Sequence, residues 1–245
     1  MKKKTIFVTK ITTMDQPNNI LNVTSTTSIE RVQFYKKTYL NVALGVLAFI
    51  IIEYFFLHSG TIVKFALSLT QGKMWLLMLG GFMLATNYAE RMAIRSTDLR
   101  KQYLGYLIYI VAEAFIFVPL LILAIYFSDN PAVIKQATVL TLSLFTGLSA
   151  VVLLTNKDFS FLRSALTIVG FIAMGLIAAG ILFGFNLGLW FSAGMIILAA
   201  GSILYQTSNL VHKYRTDQYV AAALGLFASL MLLFWYILRI LMSRK

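Results

Sequence analysis

Residues 103–127 read YLGYLIYIVAEAFIFVPLLILAIYF, a run with one charged side chain, Glu113, over the length a helix needs to cross the hydrocarbon core of a bilayer. The run is too long and too uniformly apolar for a barrel strand, whose residues alternate over about ten positions, whereas a helix satisfies its own backbone in lipid. Outward from it lie six more such runs: Tyr39–Leu57, Met74–Ala89, Ala132–Leu154, Ser164–Phe185, Leu189–Val211 and Gln218–Met242. The run Met74–Ala89 is the weakest and leans on snorkelling from Lys73 and Arg91. The chain of 245 residues is 59% hydrophobic and 12% charged, about half the charge of an average soluble domain. Seven spans nearly exhaust that length and exclude a large water-soluble catalytic domain. The expectation is an all-α membrane protein: a flexible polar cytoplasmic tail over residues 1–38, then a domain of seven transmembrane helices over residues 39–245.

The tail begins with Lys2, Lys3 and Lys4, like a signal peptide, but no apolar core follows before Asp15 and Pro17, so no cleavage is expected. Basic residues fix the orientation, because basic loops stay in the cytoplasm. Lys2, Lys3, Lys4, Lys10, Arg31, Lys36 and Lys37 lie in the tail, and Arg91, Arg95, Arg100, Lys101, Lys157, Arg163, Lys213 and Arg215 lie in alternate loops on the same side. The opposite side receives only Lys64, Lys73, Lys135, Arg239, Arg244 and Lys245. This places the N-terminus inside and the C-terminus in the periplasm or outside the cell. The net charge of +12 then reflects topology and attraction to anionic lipid headgroups, and no nucleic-acid partner is expected. The chain has no cysteine and two histidines, which excludes thiolate chemistry and a dense metal cluster. With no hydrolase elbow, phosphate-binding glycine loop or His-Glu-x-x-His motif, neither an enzyme nor a cofactor is expected.

Ionisable groups within spans are the first places to look for function. Glu113 lies near the middle of the third run, and Tyr106, Tyr109 and Glu113 share one helical face. Glu113 is either a cation- or proton-responsive group or an acid hydrogen-bonded to a tyrosine for packing. Glu53, beside Tyr54 and His58 near the outer end of the first run, reads as an interfacial residue. Gln206 and Asn209 face the same side of the sixth run and either bond between helices or line a polar path. Ser229 can bond its own helix backbone four residues earlier. Gly180, Gly184 and Gly188 mark either a close helix approach or a turn around Asn186, and Pro119 could kink the third helix next to Glu113.

Three segments taken together carry a family resemblance: SAVVLLTNKDFSFL over 149–162, LYQTSNLVH over 204–212, and the last run, with YVAA at 219–222, LFASL at 226–230 and YILR at 236–239. In order and spacing they resemble the Bax inhibitor-1 family, in its bacterial YccA-like branch. The resemblance is specific over roughly residues 140–242 and architectural before that. It implies a bacterial inner-membrane bundle in which six helices surround a central seventh. It also implies a pH-sensitive calcium leak, controlled by one carboxylate on the sixth helix and one on the seventh that share a proton. Here Gln206 and Ser229 stand at those positions, so the fold transfers and the di-acidic switch does not. An uncharged Gln206–Ser229 pair could still bond across the two helices, and Glu113 is the remaining deep carboxylate for a cation path. The same branch implies a second role, as a binding partner of the membrane protease FtsH, which would grip the N-terminal tail.

Overall fold

A computed structural model describes residues 17–96, 98–128 and 130–243, with side chains from residue 29 onward. The described residues form eight helices and no strand: α1 (Pro17–His58), α2 (Gly60–Ser68), α3 (Met74–Arg95), α4 (Leu99–Tyr126), α5 (Val133–Thr155), α6 (Leu162–Phe183), α7 (Gly188–His212) and α8 (Tyr219–Ser243). Six are long and apolar enough to cross a membrane, namely α1 from Ile29 together with α4, α5, α6, α7 and α8. The all-helical membrane architecture expected from the sequence is present. Helix α3, the weakest run, falls short in composition because Glu90, Arg91 and Arg95 crowd its last two turns. The first apolar run is the second part of the longer helix α1, so the boundary expected at residue 38 falls inside a helix. Phe34 and Thr38 are already buried there, and Thr38 donates to the Phe34 carbonyl at 2.9 Å. Residues 1–16 of the expected tail lie outside the described residues.

Helix α8 is apolar on nearly every face, which suits a helix surrounded by other helices. It packs against α1, α3, α4, α5 and α7, and Leu224, Leu226, Phe227, Leu233 and Leu238 are fully buried. It is the most enclosed of the candidate spans among the described residues. Helix α6 is the opposite case, packing chiefly on α7 and slightly on α3 with most of its surface open. Phe171, Phe183 and the nearby Trp190, which is 90% exposed, would be intolerable in water and suit contact with lipid.

Local chemistry sets the helix ends. Asp98 caps α4 by accepting from the Arg100 amide at 2.9 Å, and Asn156 ends α5 in the left-handed region at φ 50°. Gly184 ends α6 at φ 75° and Gly188 opens α7 at φ 68°, so the Gly180–Gly188 series builds the turn around Asn186 rather than a helix crossing. Helix α4 runs unbroken through Pro119. Where α3 and α4 meet, a Cβ on Gly105 would lie 2.6 Å from the Ala89 carbonyl oxygen and 3.0 Å from the Ala93 amide nitrogen. Both are backbone atoms that cannot turn aside. Gly105→Ala should therefore destabilise the bundle by about 1–3 kcal/mol, as overpacking does. Gly80→Ala, which meets nothing within 4 Å, should not lower stability. Thermal unfolding of the two variants in detergent checks the contrast.

Candidate functional site

Glu113 sits halfway along α4, on the face turned to α8. One turn and two turns before it, Tyr109 and Tyr106 set their rings edge-on to Phe227 of α8 at 6.3 and 5.7 Å. The Tyr106 hydroxyl donates to the Asn41 carbonyl of α1 at 3.1 Å, in space left open by Gly45, where a Cβ would collide with that hydroxyl. The tyrosine face is thus committed to α1 and α8. The acid is left out of this arrangement: Glu113 is 6% exposed and its Oε2 is buried with no hydrogen-bond partner.

Glu113 forms part of the wall of a cavity of about 670 Å³ shared by α3, α4, α6, α7, α8 and the α6–α7 turn. Trp75 at the start of α3, Asn186 in the turn and Arg239 near the end of α8 lie at one end of the helices, and Glu113 lies at mid-depth. The cavity therefore enters from the face that holds the α6–α7 turn and reaches the middle of the bundle. In the sequence Arg239 counts only as an outer basic residue, because its place so near a helix end reads as an ordinary interfacial anchor. Among the described residues no group of three or more His, Asp or Glu side chains converges to hold a metal ion.

The structure does not gather the other candidates around this cavity. Gln206 and Ser229 belong to the antiparallel seam of α7 and α8, in a register one turn away from the expected pair. The Ser229 hydroxyl lies 2.7 Å from that of Ser202 and also donates to the Gly225 carbonyl at 2.9 Å, the local bond expected of it. Gln206 instead covers Gly225, where a Cβ would come within 2.8 Å of Oε1. The expected Gln206–Ser229 bond is replaced by Ser202–Ser229 because antiparallel helices pair a residue four later on one with a residue four earlier on the other. Ser202 was legible only once that register was known. Asn209 lies further along α7, with Oδ1 buried and unpartnered, and its carbonyl accepts from the Lys213 and Tyr214 amides at the helix end.

The first and second family-like segments meet just beyond this seam. The Ser208 hydroxyl of α7 donates to Asp158 Oδ1 at 3.1 Å and accepts from the Phe159 amide at 2.9 Å, tying the α5–α6 loop to α7. Asp158 also takes the Ser160 amide at 2.8 Å. Their role in this chain is to fix a loop.

Glu53 keeps its place near the end of α1 but is turned into the bundle. It is 4% exposed, both carboxylate oxygens lack a partner, and it lines a second cavity of about 390 Å³ bounded by α1, α4, α5 and α8. The residue faces the bundle because Tyr54, its neighbour, takes the outward position.

The model of the family described as inhibitor of apoptosis-promoting Bax1 matches residues 31–245. An uncharacterized protein of Pseudomonas aeruginosa is 35% identical over 123 residues, which is 50% of this chain and 55% of the relative. A modulator of FtsH protease, YccA, of Escherichia coli is 37% identical over 110 residues, 44% of this chain and 50% of the relative. A Golgi anti-apoptotic protein of vaccinia virus is 33% identical over 113 residues, 44% of this chain and 46% of the relative. The chain spans about half the length of the curated relatives it matches.

Proposed function

The chain belongs to the Bax inhibitor-1 family, and from that membership we propose that it is a multi-pass protein of a bacterial inner membrane that lets cations, calcium among them, leak through the Glu113 cavity without the family's di-acidic switch. The observation that carries this reading is the unpartnered Glu113 oxygen at mid-depth in a cavity that opens toward one face. A buried carboxylate without a partner is expensive in a protein interior and becomes favourable when a cation completes it. The α7–α8 seam holds neutral groups at the two switch positions, Gln206 and Ser229, and at the residues they meet, Gly225 and Ser202. In this reading α3 is the seventh span: its 22 residues rise about 33 Å, enough to cross. The N-terminus is cytoplasmic, as the basic loops indicate. Calcium flux into proteoliposomes holding the purified protein tests the proposal, and absence of flux at every pH from 6 to 8 would overturn it.

A second reading is favoured by one specific relative, the Escherichia coli modulator of FtsH protease. In it the bundle engages an FtsH-type membrane protease through the polar N-terminal segment, which serves as the handle such a protease needs to begin. Removing residues 1–16, which precede α1, should abolish co-purification with the protease while leaving ion flux intact. Undiminished co-purification would rule this role out.

A further inference from the structure

The Glu53 cavity is built differently from the Glu113 cavity. The wall at Glu113 also carries Arg239, so opposite charges share one space. Among the described residues the wall at Glu53 contains no Lys, Arg or His; it is made of apolar residues such as Phe49, Leu121, Leu230 and Phe234, with the hydroxyls of Tyr54, Thr138 and Thr141. Three oxygens in this wall are buried and unpartnered: Glu53 Oε1, Glu53 Oε2 and Thr141 Oγ1, on residues 4% and 2% exposed. All three can accept, and an ionised carboxylate can only accept. The missing partner is therefore a donor of several hydrogen bonds that carries positive charge and has a large apolar body.

Depth identifies the source. Tyr54, which also lines the cavity, and His58 set their rings 4.1 Å apart near the same helix end, and amphipathic rings of this kind sit at headgroup level. Glu53 lies at that level on the inner side, five residues before the end of α1. The exposed Ile50, Ile125 and Leu142 line the same cavity, so it opens sideways toward lipid between α1 and α5. A calcium ion stripped of its water and held here fits poorly, since one carboxylate and three hydroxyls fall short of the six to eight oxygens that it takes.

We propose that this cavity binds an aminophospholipid, with its primary ammonium on Glu53 and Thr141 and an acyl chain along the apolar wall. An ammonium brings three N–H donors to the three unpartnered oxygens, and supplies the countercharge that the wall lacks. The proposal is independent of ion flux and of protease binding.

Native mass spectrometry of the delipidated full chain, offered equal amounts of phosphatidylethanolamine, phosphatidylglycerol and phosphatidylcholine, tests it. The parent should retain phosphatidylethanolamine over the other two by about tenfold, the scale of one charge-assisted hydrogen bond. Glu53→Gln should erase that preference. Thr138→Trp, which fills the cavity from the α5 side and leaves the carboxylate in place, should lower retention of all three lipids. Equal retention of phosphatidylglycerol by the parent, or an undiminished preference in Glu53→Gln, would overturn the proposal. Capture of dodecylamine without capture of phosphatidylethanolamine would overturn it as well, by assigning the cavity to soluble amines.

Discussion

Proteoliposomes holding Glu113→Gln should show calcium flux about ten- to a hundredfold below that of the parent, the scale set by losing about 1.5–3 kcal/mol of charged hydrogen bonding to the permeating ion. The substitution keeps the shape of the side chain and removes its charge, so the cavity of about 670 Å³ and the packing of Tyr106 and Tyr109 on Phe227 remain. Stability should not fall, because Oε2 gives up no hydrogen bond. Glu53→Gln is the matched control: it removes a buried carboxylate from the other cavity and should leave flux unchanged. Unaltered flux in Glu113→Gln, with the protein folded, would discard Glu113 as an ion ligand. Equal loss in both variants would point to a general effect of removing buried charge.

The double substitution Gln206→Asp, Ser229→Asp should change the pH profile of flux between pH 6 and 8. In the parent, Glu113 is the one carboxyl that lines the cavity among the described residues, and a single group titrates in a single step. Two new carboxyls on the α7–α8 seam would be only a turn apart in register, since Ser229 meets Ser202 and Gln206 meets Gly225. Carboxyls that close cannot both ionise freely, so they titrate as a pair in two steps. The variant should gain a second inflection, with flux at pH 6 and pH 8 differing about tenfold more than in the parent. Each single variant should fall short of this. A double variant with the parent's profile would show that the seam does not gate the path.

The helical membrane class was readable in residues 103–127 alone, since length and uniform hydrophobicity leave a lone segment few options in lipid. The central place of α8 was readable only by resemblance, because an apolar helix looks the same facing lipid or facing other helices. That ambiguity also explains Glu53: its sequence neighbours Tyr54 and His58 mark the level of the membrane surface, while the side of the helix on which it falls depends on tertiary packing. Ser202 stayed hidden for a different reason. A serine in an apolar helix gains meaning only from the residue opposite, and that residue is set by register. Helix α3 is the case where composition and packing diverge. Glu90, Arg91 and Arg95 weaken α3 by hydropathy, yet α3 packs closely along α4 through Gly105.

The central helix is also the latest of the eight to be synthesised. Helices α1, α3, α4, α5 and α7 all pack on α8, and Arg31 within α1 reaches the Tyr214 carbonyl across 183 residues of chain. During translation those helices enter the membrane before the element they enclose exists, and they must wait for it with their inner faces unfilled. Contacts of such long sequence separation form slowly. The assembling bundle therefore passes through a period in which it is inserted but open, and its closure is timed by the arrival of residues 219–243.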